Sequence, residues 1–377
     1  MRANYGLEES APAVIVDNAT GELVGSDTHT RTDISFTLSQ PIFNLPSFLE
    51  WRRRKVKEHA RNESYRVSDG DAYVSTIKAY LSLVSSRLQA DVARDFEVQL
   101  ADLLSYIEKR ADAGAASISD MARVKARSQA TLSSRLELES THAAAGTEFI
   151  RLTNLVPQRV LLPVLEDVGA SLLPDSLELA VTTAMNLNPE IAVLKSELES
   201  AKIDQSLTTG KFLPRVDMDY TDTYSLHAGG SPDSQRDKRL MLVMNWNLFN
   251  GGKDYREHDE RTARHNEFRY LLDDQRRRVI QALSANYAAL ATTSARIDSG
   301  YLELKSISIA AEAMSKRMLS GNQSLLDLLD VLTQSFQVRS RLVNLHIQEM
   351  NTVAQLVRLT RGTPFDDQEN KNSSSTN

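Results

Sequence analysis

A mainly helical fold with a small β part, built from one unit used twice, is what this sequence predicts, on three observations. The first is an internal repeat. The stretch 317–331, RMLSGNQSLLDLLDV, has a weaker partner at 110–124, RADAGAASISDMARV, setting Arg110 on Arg317, Gly114 on Gly321, Ser117 on Ser324 and Asp120 on Asp327. The same offset, without a gap, sets Tyr80 on Tyr287 and Arg151-Leu152-Thr153 on Arg358-Leu359-Thr360. A register held over that distance is the signature of a duplicated unit. The second observation is a pair of long stretches, 47–113 and 253–320, almost free of helix breakers. The third is a strand-like alternation ahead of each.

The first repeat is expected over 1–156. Residues 2–8 alternate weakly, and 10–32 are rich in Pro, Gly, Asp and Thr, as an exposed loop would be. In 33–44, Ile34, Phe36 and Leu38 point one way and Ser35, Thr37 and Ser39 the other. Together 2–44 read as a hairpin. The helix over 47–113 would run about 100 Å at 1.5 Å per residue, with Ile77, Leu81, Val84, Leu88, Val92, Phe96, Leu100, Leu103 and Ile107 as its apolar stripe. Gly114 turns the chain and Ser117 is placed to cap a return helix over 119–154.

A broken apolar segment, 157–174, and a helix starting near Asp175 as N-cap make up a connector over 157–187. The second repeat, 188–362, opens with a helix at 189–210 that has Pro189 in its first turn. Its hairpin covers 214–250. There Val216, Met218 and Tyr220 alternate with Asp217, Asp219 and Thr221, while Leu240, Leu242, Met244, Trp246 and Leu248 share one face. In the long helix over 253–320, Leu283, Leu290, Ile297, Leu304, Ala311 and Met318 recur every seven residues, a coiled-coil seam. Gly321 turns the chain into a return helix over 324–361, with Ser324 as its expected cap, and 363–377 read as a disordered tail. Setting Tyr5 on Tyr220 leaves the first hairpin without the helix that precedes the second, so the chain is expected to be truncated at its N-terminus.

Composition narrows the function classes. The net charge is −6 and the one basic run is Trp51-Arg52-Arg53-Arg54-Lys55, which argues against nucleic acid as a partner and suits a solvated or membrane-flanking helix start. With no cysteine there is neither a disulfide nor a lipidated N-terminal Cys. The seven His are scattered and no nucleophile, metal or phosphate motif occurs, so no enzyme and no cofactor are expected. No run of about 18 apolar residues suggests a transmembrane helix.

The strands, however, have about the ten residues that a tilted strand needs to cross a bilayer. Four such strands cannot close a barrel, since about eight is the minimum, and an open edge in lipid is not tolerated. Three chains would supply twelve. The architecture this points to is a trimeric α-barrel of long packed helices continued by a 12-stranded transmembrane β-barrel, a conduit.

Three motifs carry a family resemblance: Ser39-Gln40-Pro41-Ile42-Phe43-Asn44, Trp246-Asn247-Leu248-Phe249-Asn250-Gly251-Gly252, and 321–332, GNQSLLDLLDVL. With the duplication, they make nearly the whole chain resemble the TolC-like outer-membrane efflux and secretion channels. The resemblance implies a homotrimer in the cell outer membrane with a large periplasmic part. It would be docked through a periplasmic adaptor protein to an inner-membrane ABC transporter, passing exported protein cargo and contacting outer-membrane lipid.

It also implies site residues. Asp327 and Asp330 match carboxylates that ring the channel's narrowest part; three apart on a helix they share a face, and threefold symmetry would put six around one axis. Ser119 and Asp120 match a pair that holds the tip closed, with Met318 and Gln323 at the partner positions, where the family's best-known member has Tyr and Arg. Gly114, Ser117, Gly321 and Ser324 fall at the tip turns where an adaptor would dock. Tyr220 and Trp246 suit an interfacial belt. The wording of the tip motifs is closer to the type I protein-secretion branch, including exporters of large adhesins, than to the drug-efflux branch. Small-molecule efflux and a soluble coiled-coil scaffold are the alternatives.

Overall fold

In the computed structural model the described residues are 1–9, 15–16, 23–24, 28–114, 117–230, 234–319 and 324–365. The strands are β1 (Arg2–Glu8), β2 (Ile15–Val16), β3 (Leu23–Val24), β4 (His29–Phe43), β5 (Arg215–Leu226) and β6 (Ser234–Asn245). The α-helices are α1 (Leu45–Asp112), α2 (Ile118–Thr153), α3 (Leu177–Leu187), α4 (Pro189–Gly210), α5 (Lys253–Leu319) and α6 (Leu325–Arg361). Expected loop 10–32 is corrected by the pairing: β4 starts at His29, because Glu8, Leu7, Gly6 and Tyr5 of β1 pair with His29, Thr30, Arg31 and Thr32. Polar residues thus extend a strand whose apolar alternation starts only at Ile34. Of the expected tail, 366–377 lie outside the described residues.

The chain divides into two compact units. The first, Met1–Glu58 with Ser196–Tyr270, holds a four-stranded antiparallel sheet in the order β1-β4-β5-β6. Its central joint is β4 against β5, from Thr32 opposite Leu226 to Phe43 opposite Val216, with one irregularity between Pro41 and Phe43. The two copies of the repeat therefore meet edge to edge through backbone hydrogen bonds. Where the strands end, helices begin with matching caps. The Asn44 side-chain oxygen accepts from the Ser47 N–H at 3.1 Å and that of Asn250 accepts from the Asp254 N–H at 3.3 Å. Polar contacts tie the helix ends of this unit together: Arg53 to Asp204 at 2.7 Å, Thr208 to His258 at 2.9 Å, and Lys211 to Glu257 at 2.7 Å.

The second unit, His59–Lys195 with the chain from Leu271 onward, is helical. Of the apolar stripe of α1, Leu81, Val84, Phe96, Leu100, Leu103 and Ile107 are buried while Ile77, Leu88 and Val92 are half-buried, and Ala79, Leu83, Ala90 and Ala93 beside it are buried too. The buried band is wider than a heptad seam because α1 packs against neighbours on more than one side. On α5 the seven-residue seam expected from the sequence is buried only in part: Leu283, Ile297 and Met318 are buried, and Leu290, Leu304 and Ala311 are half-buried. Phe96 of α1 stacks on Phe336 of α6 with ring centroids 4.9 Å apart.

The connector forms two short 3-10 turns, Leu165–Val168 and Ala170–Leu172, and is held by tyrosine hydroxyls. Tyr80 donates to the Leu161 carbonyl at 2.7 Å, and its repeat partner Tyr287 donates to the Pro174 carbonyl at 2.7 Å. Tyr73 adds a third bond, to the Val168 carbonyl at 2.9 Å, and burial pushes its pKa up to about 12. The cap of α3 is Ser176, accepting from the Leu179 N–H, and not Asp175; the hydroxyl one residue later is the one that reaches the orphan donor. Asn188 caps α4 through the Ile191 N–H at 3.0 Å, which leaves Pro189 in the first turn, where it has no donor to waste.

Gly70 lies inside α1 where the chain after α6 crosses it. A Cβ there would stand 2.8 Å from the Gly362 carbonyl oxygen, whereas one at Gly146 would meet only Leu83 Cδ1 at 3.7 Å. Gly70→Ala should therefore cost about 1–3 kcal/mol, the usual range for overpacking. Gly146→Ala should be neutral or slightly stabilising, since alanine favours helix. Thermal unfolding followed by helical circular dichroism separates the two; equal melting temperatures would show that the backbones do not touch at Gly70.

Candidate functional site

The expected functional residues gather where the long helices hand over to their return helices. α1 ends on a basic last turn, Lys109 and Arg110, which suits the negative end of a helix dipole. Gly114 then takes φ +70 with open space around it, so glycine is required there by backbone angle rather than by crowding. Ser117 caps α2, its hydroxyl accepting from the Asp120 N–H at 3.3 Å, and Asp120 sits in the first turn, where a carboxylate suits the positive end of the dipole. Ser119 is exposed beside it.

The second copy differs. Ser324 occupies the N-cap position of α6 with extended backbone, but its hydroxyl makes no capping bond. The expected cap is thus a backbone feature only, with the Leu328 N–H bonding the Ser324 carbonyl at 3.3 Å. Gly321 and Gln323 lie outside the described residues, as do all of 320–323. Asp327 and Asp330 are both exposed, between buried Leu325, Leu328 and Leu329. α6 is amphipathic at this point, and the pair stands on its outward side.

Under these turns lies a core of Phe96, Leu100, Leu103, Ile107, Val124, Met318, Leu325, Leu328 and Leu329. It draws from both copies. Met318, expected among the gating side chains, is only 3% exposed and belongs to this core, because it is the last residue of the heptad seam. What it offers outward is its carbonyl, which accepts from the Tyr106 hydroxyl at 2.9 Å. Tyr106 had no signal in the sequence: it stands one place before the stripe residue Ile107 and has no aromatic counterpart in the second copy, where the matching position is Ala313.

The sheet is the other functional surface. Facing pairs fix its two sides, since directly opposed residues share a face. Leu38, Tyr220 and Leu240 lie in one row, and Gln40, Met218 and Leu242 in the next. Phe36 belongs to the same side, packed edge-on to Tyr220. The opposite side carries Ser35, Thr37 and Ser39 of β4 and Thr223, Thr221 and Asp219 of β5. The Phe36 side also carries Asp222, Arg236 and Lys238 toward the β5–β6 loop, and its apolar part is not covered by the described residues: Phe36 is 47% exposed, Leu240 67% and Leu242 72%. Tyr220 sits mid-strand, not at a strand end. Trp246 lies just beyond β6, exposed, with its ring N–H donating to the Phe212 carbonyl at 3.1 Å.

A duplicated unit of strands and long helices, with an exposed apolar sheet face and a tip of caps and acids, is the arrangement that the TolC-like resemblance implies. Residues 180–361 match the family described as Outer membrane efflux protein. The chain is 23% identical over 302 residues to the alkaline protease secretion protein AprF of Pseudomonas aeruginosa, covering 78% of this chain and 62% of that protein. It is 21% identical over 341 residues to the proteases secretion protein PrtF of Dickeya chrysanthemi, covering 87% and 72%. The chain thus spans about three fifths of the length of AprF. Among solved structures, CusC, described in terms of folding and transmembrane channel formation, matches with a TM-score of 0.80 at 14% identity, over 96% of this chain and 83% of that one. Over residues 180–361 the chain is thus similar to the outer membrane efflux protein family, and its fold is that of the TolC-like channels it resembles. Its relatives are channels and secretion proteins, not enzymes.

The unequal caps give a prediction. Ser117→Ala should speed amide exchange in the first turn of α2 about fivefold, the effect of losing roughly 1 kcal/mol of capping. Ser324→Ala should leave the first turn of α6 unchanged. Equal acceleration in both would mean that Ser324 also caps in solution.

Proposed function

We propose that three copies of this chain form an outer-membrane conduit that carries protein cargo from the periplasm to the exterior. The carrying observation is the two-sided sheet, apolar and uncovered on one face and hydroxyl- and acid-rich on the other. Lipid satisfies the first face and a water-filled lumen the second, and closure with neighbouring protomers removes the open edges of β1 and β6. A soluble scaffold would instead bury Phe36, Leu240 and Leu242. Twelve strands from three chains exceed the minimum for a closed barrel.

The likeness to AprF and PrtF supports type I protein secretion over small-molecule efflux, and with it a periplasmic adaptor and an inner-membrane ABC transporter as partners. At the tip, Asp327 and Asp330 from three chains form an acidic aperture that favours cations. Gly114, Ser117, Gly321 and Ser324 mark the turns that meet the adaptor. Ser119, Asp120 and Gln323 supply the polar contacts of the closed tip, and Met318 acts from the core beneath it. Trp246 serves the interfacial belt; Tyr220 serves the lipid-facing band.

Two experiments test this. Phe36→Arg with Leu242→Arg should abolish recovery in the outer-membrane fraction while helical circular dichroism persists, since a cation on a lipid-facing strand costs about 2–4 kcal/mol at the bilayer midplane. Thr221→Arg, on the other face, should still insert. If the double variant inserts normally, the membrane reading is wrong. Asp327→Ala with Asp330→Ala should lower cation selectivity in planar bilayers; an unchanged reversal potential would remove the aperture assignment.

A further inference from the structure

The helix end of the sheet carries a feature that the conduit does not require. Aromatic side chains are exposed there in both copies: Phe43, Phe48 and Trp51 in the first, Trp246, Phe249 and Tyr255 in the second. That is the composition of an interfacial girdle. Around it the two copies differ in charge. At the offset that sets Tyr80 on Tyr287, Phe48 falls on Tyr255, Glu50 on Glu257 and Arg54 on Arg261, yet Arg52, Arg53 and Lys55 fall on Asp259, Glu260 and Thr262. The shared residues form the same intrahelical ion pair twice, Arg54 with Glu50 at 3.4 Å and Arg261 with Glu257 at 3.9 Å. The excess of cations in the first copy is not needed for that pair.

Part of the excess is structural. Arg53 is bound by Glu50 and Asp204, and Arg52 by Glu199. Lys55 is different: its ammonium lies 4.3 Å over the Trp51 ring and makes no ion pair among the described residues. Arg54 is 78% exposed and only loosely held by Glu50. Trp51, Arg54 and Lys55 are spaced i, i+3 and i+4, so one aromatic plate is flanked by two available cations. Trp51 and Arg54 also edge an open groove of ≈ 620 Å³ whose other charges are paired, Arg53 with Asp204 and Glu50, and Lys211 and Arg261 with Glu257.

We propose that Trp51, Arg54 and Lys55 form a binding site for the phosphodiester headgroup of an anionic phospholipid, in the leaflet next to the helix end of the sheet. The inference rests on the membrane reading above. The ring lies at headgroup depth, the two cations take the phosphate, and Phe48, packed on Trp51 with ring centroids 6.0 Å apart, faces the acyl chains. Three protomers provide three sites, alternating with acidic helix starts from the second copy. Anionic lipid is thereby drawn to one side of each protomer and repelled from the other.

The chain has two tryptophans, so Trp246→Phe leaves Trp51 as its only indole. Reconstituted into vesicles, this protein should be quenched more strongly by phosphatidylglycerol brominated near the headgroup than by the same density of brominated phosphatidylcholine. Neutralising Arg54 or Lys55 to Gln should each reduce that preference about fivefold, the contribution of one cation near a membrane surface. Arg256→Gln, in the first turn of α5 and outside that groove, should not change it. Equal quenching by both lipids in an inserted protein would overturn the site and leave the channel reading intact. No quenching, with no flotation of the protein with the vesicles, would sink both. Loss of the preference on adding inorganic phosphate at matched ionic strength would mean a small-anion site and would overturn the lipid assignment. Native mass spectrometry of the unsubstituted protein, offered both lipids in equal amounts, gives the same comparison without Trp246→Phe: retained phosphatidylglycerol supports the site, equal retention refutes it.

Discussion

The antiparallel pairing of β4 with β5 is the constraint on which the first unit depends. It is made almost wholly of backbone hydrogen bonds, and it joins strands that lie far apart in the chain, one from each copy. Because side chains alternate along a strand, this register alone decides that Phe36, Leu38 and Tyr220 fall on one face and Thr37, Ser39 and Asp219 on the other. A slip of one residue would bring Asp217, Asp219, Thr221 and Thr223 of β5 to the apolar side. The turn from sheet to helix is set just as locally, by Asn44 and Asn250, each capping the helix that follows it.

In the second unit the equivalent discipline comes from the connector. Tyr80 and Tyr287 occupy the same place in the two copies, and each gives its hydroxyl to a carbonyl of the one segment that joins them. A connector of broken 3-10 turns has carbonyls that no helix satisfies, and these are open to side-chain donors. The tyrosines supply those donors from two different helices. The connector is thus gripped by both copies at once.

Much of this was legible in the sequence, and the limits are informative. The heptad from Leu283 to Met318 and the alternation from Ile34 to Leu38 could be read because burial and strand pairing impose periods on side-chain chemistry. The strand from His29 to Thr32 could not, since it is held by pairing with β1 and carries no apolar signal. Asp175 and Ser176 could not be ordered as caps, because either side chain can accept and only the backbone path chooses. Met318 was read as part of a gate through its neighbours in the sequence, while its own heptad spacing already assigned it to the core. Tyr106 was invisible because a hydroxyl bond to a distant main-chain carbonyl leaves no pattern at all. The acidic pair Asp327 and Asp330 is a surface pair in the single chain, and the aperture proposed for it would need a symmetry that one sequence does not display.

The near-equal lengths of α1 and α5, 68 and 67 residues, carry an evolutionary consequence. One residue inserted midway along either helix would turn everything after it by about 100°, given 3.6 residues per turn. Inserted before Tyr80, it would swing that hydroxyl away from Leu161 and rotate the stripe that follows out of the core. Small insertions within α1 and α5 should therefore be tolerated far less well than substitutions, which fits the common offset that the two copies share. The same rule predicts where length variation should collect among relatives: between β1 and β4 and between β5 and β6, where the chain is bounded by strands.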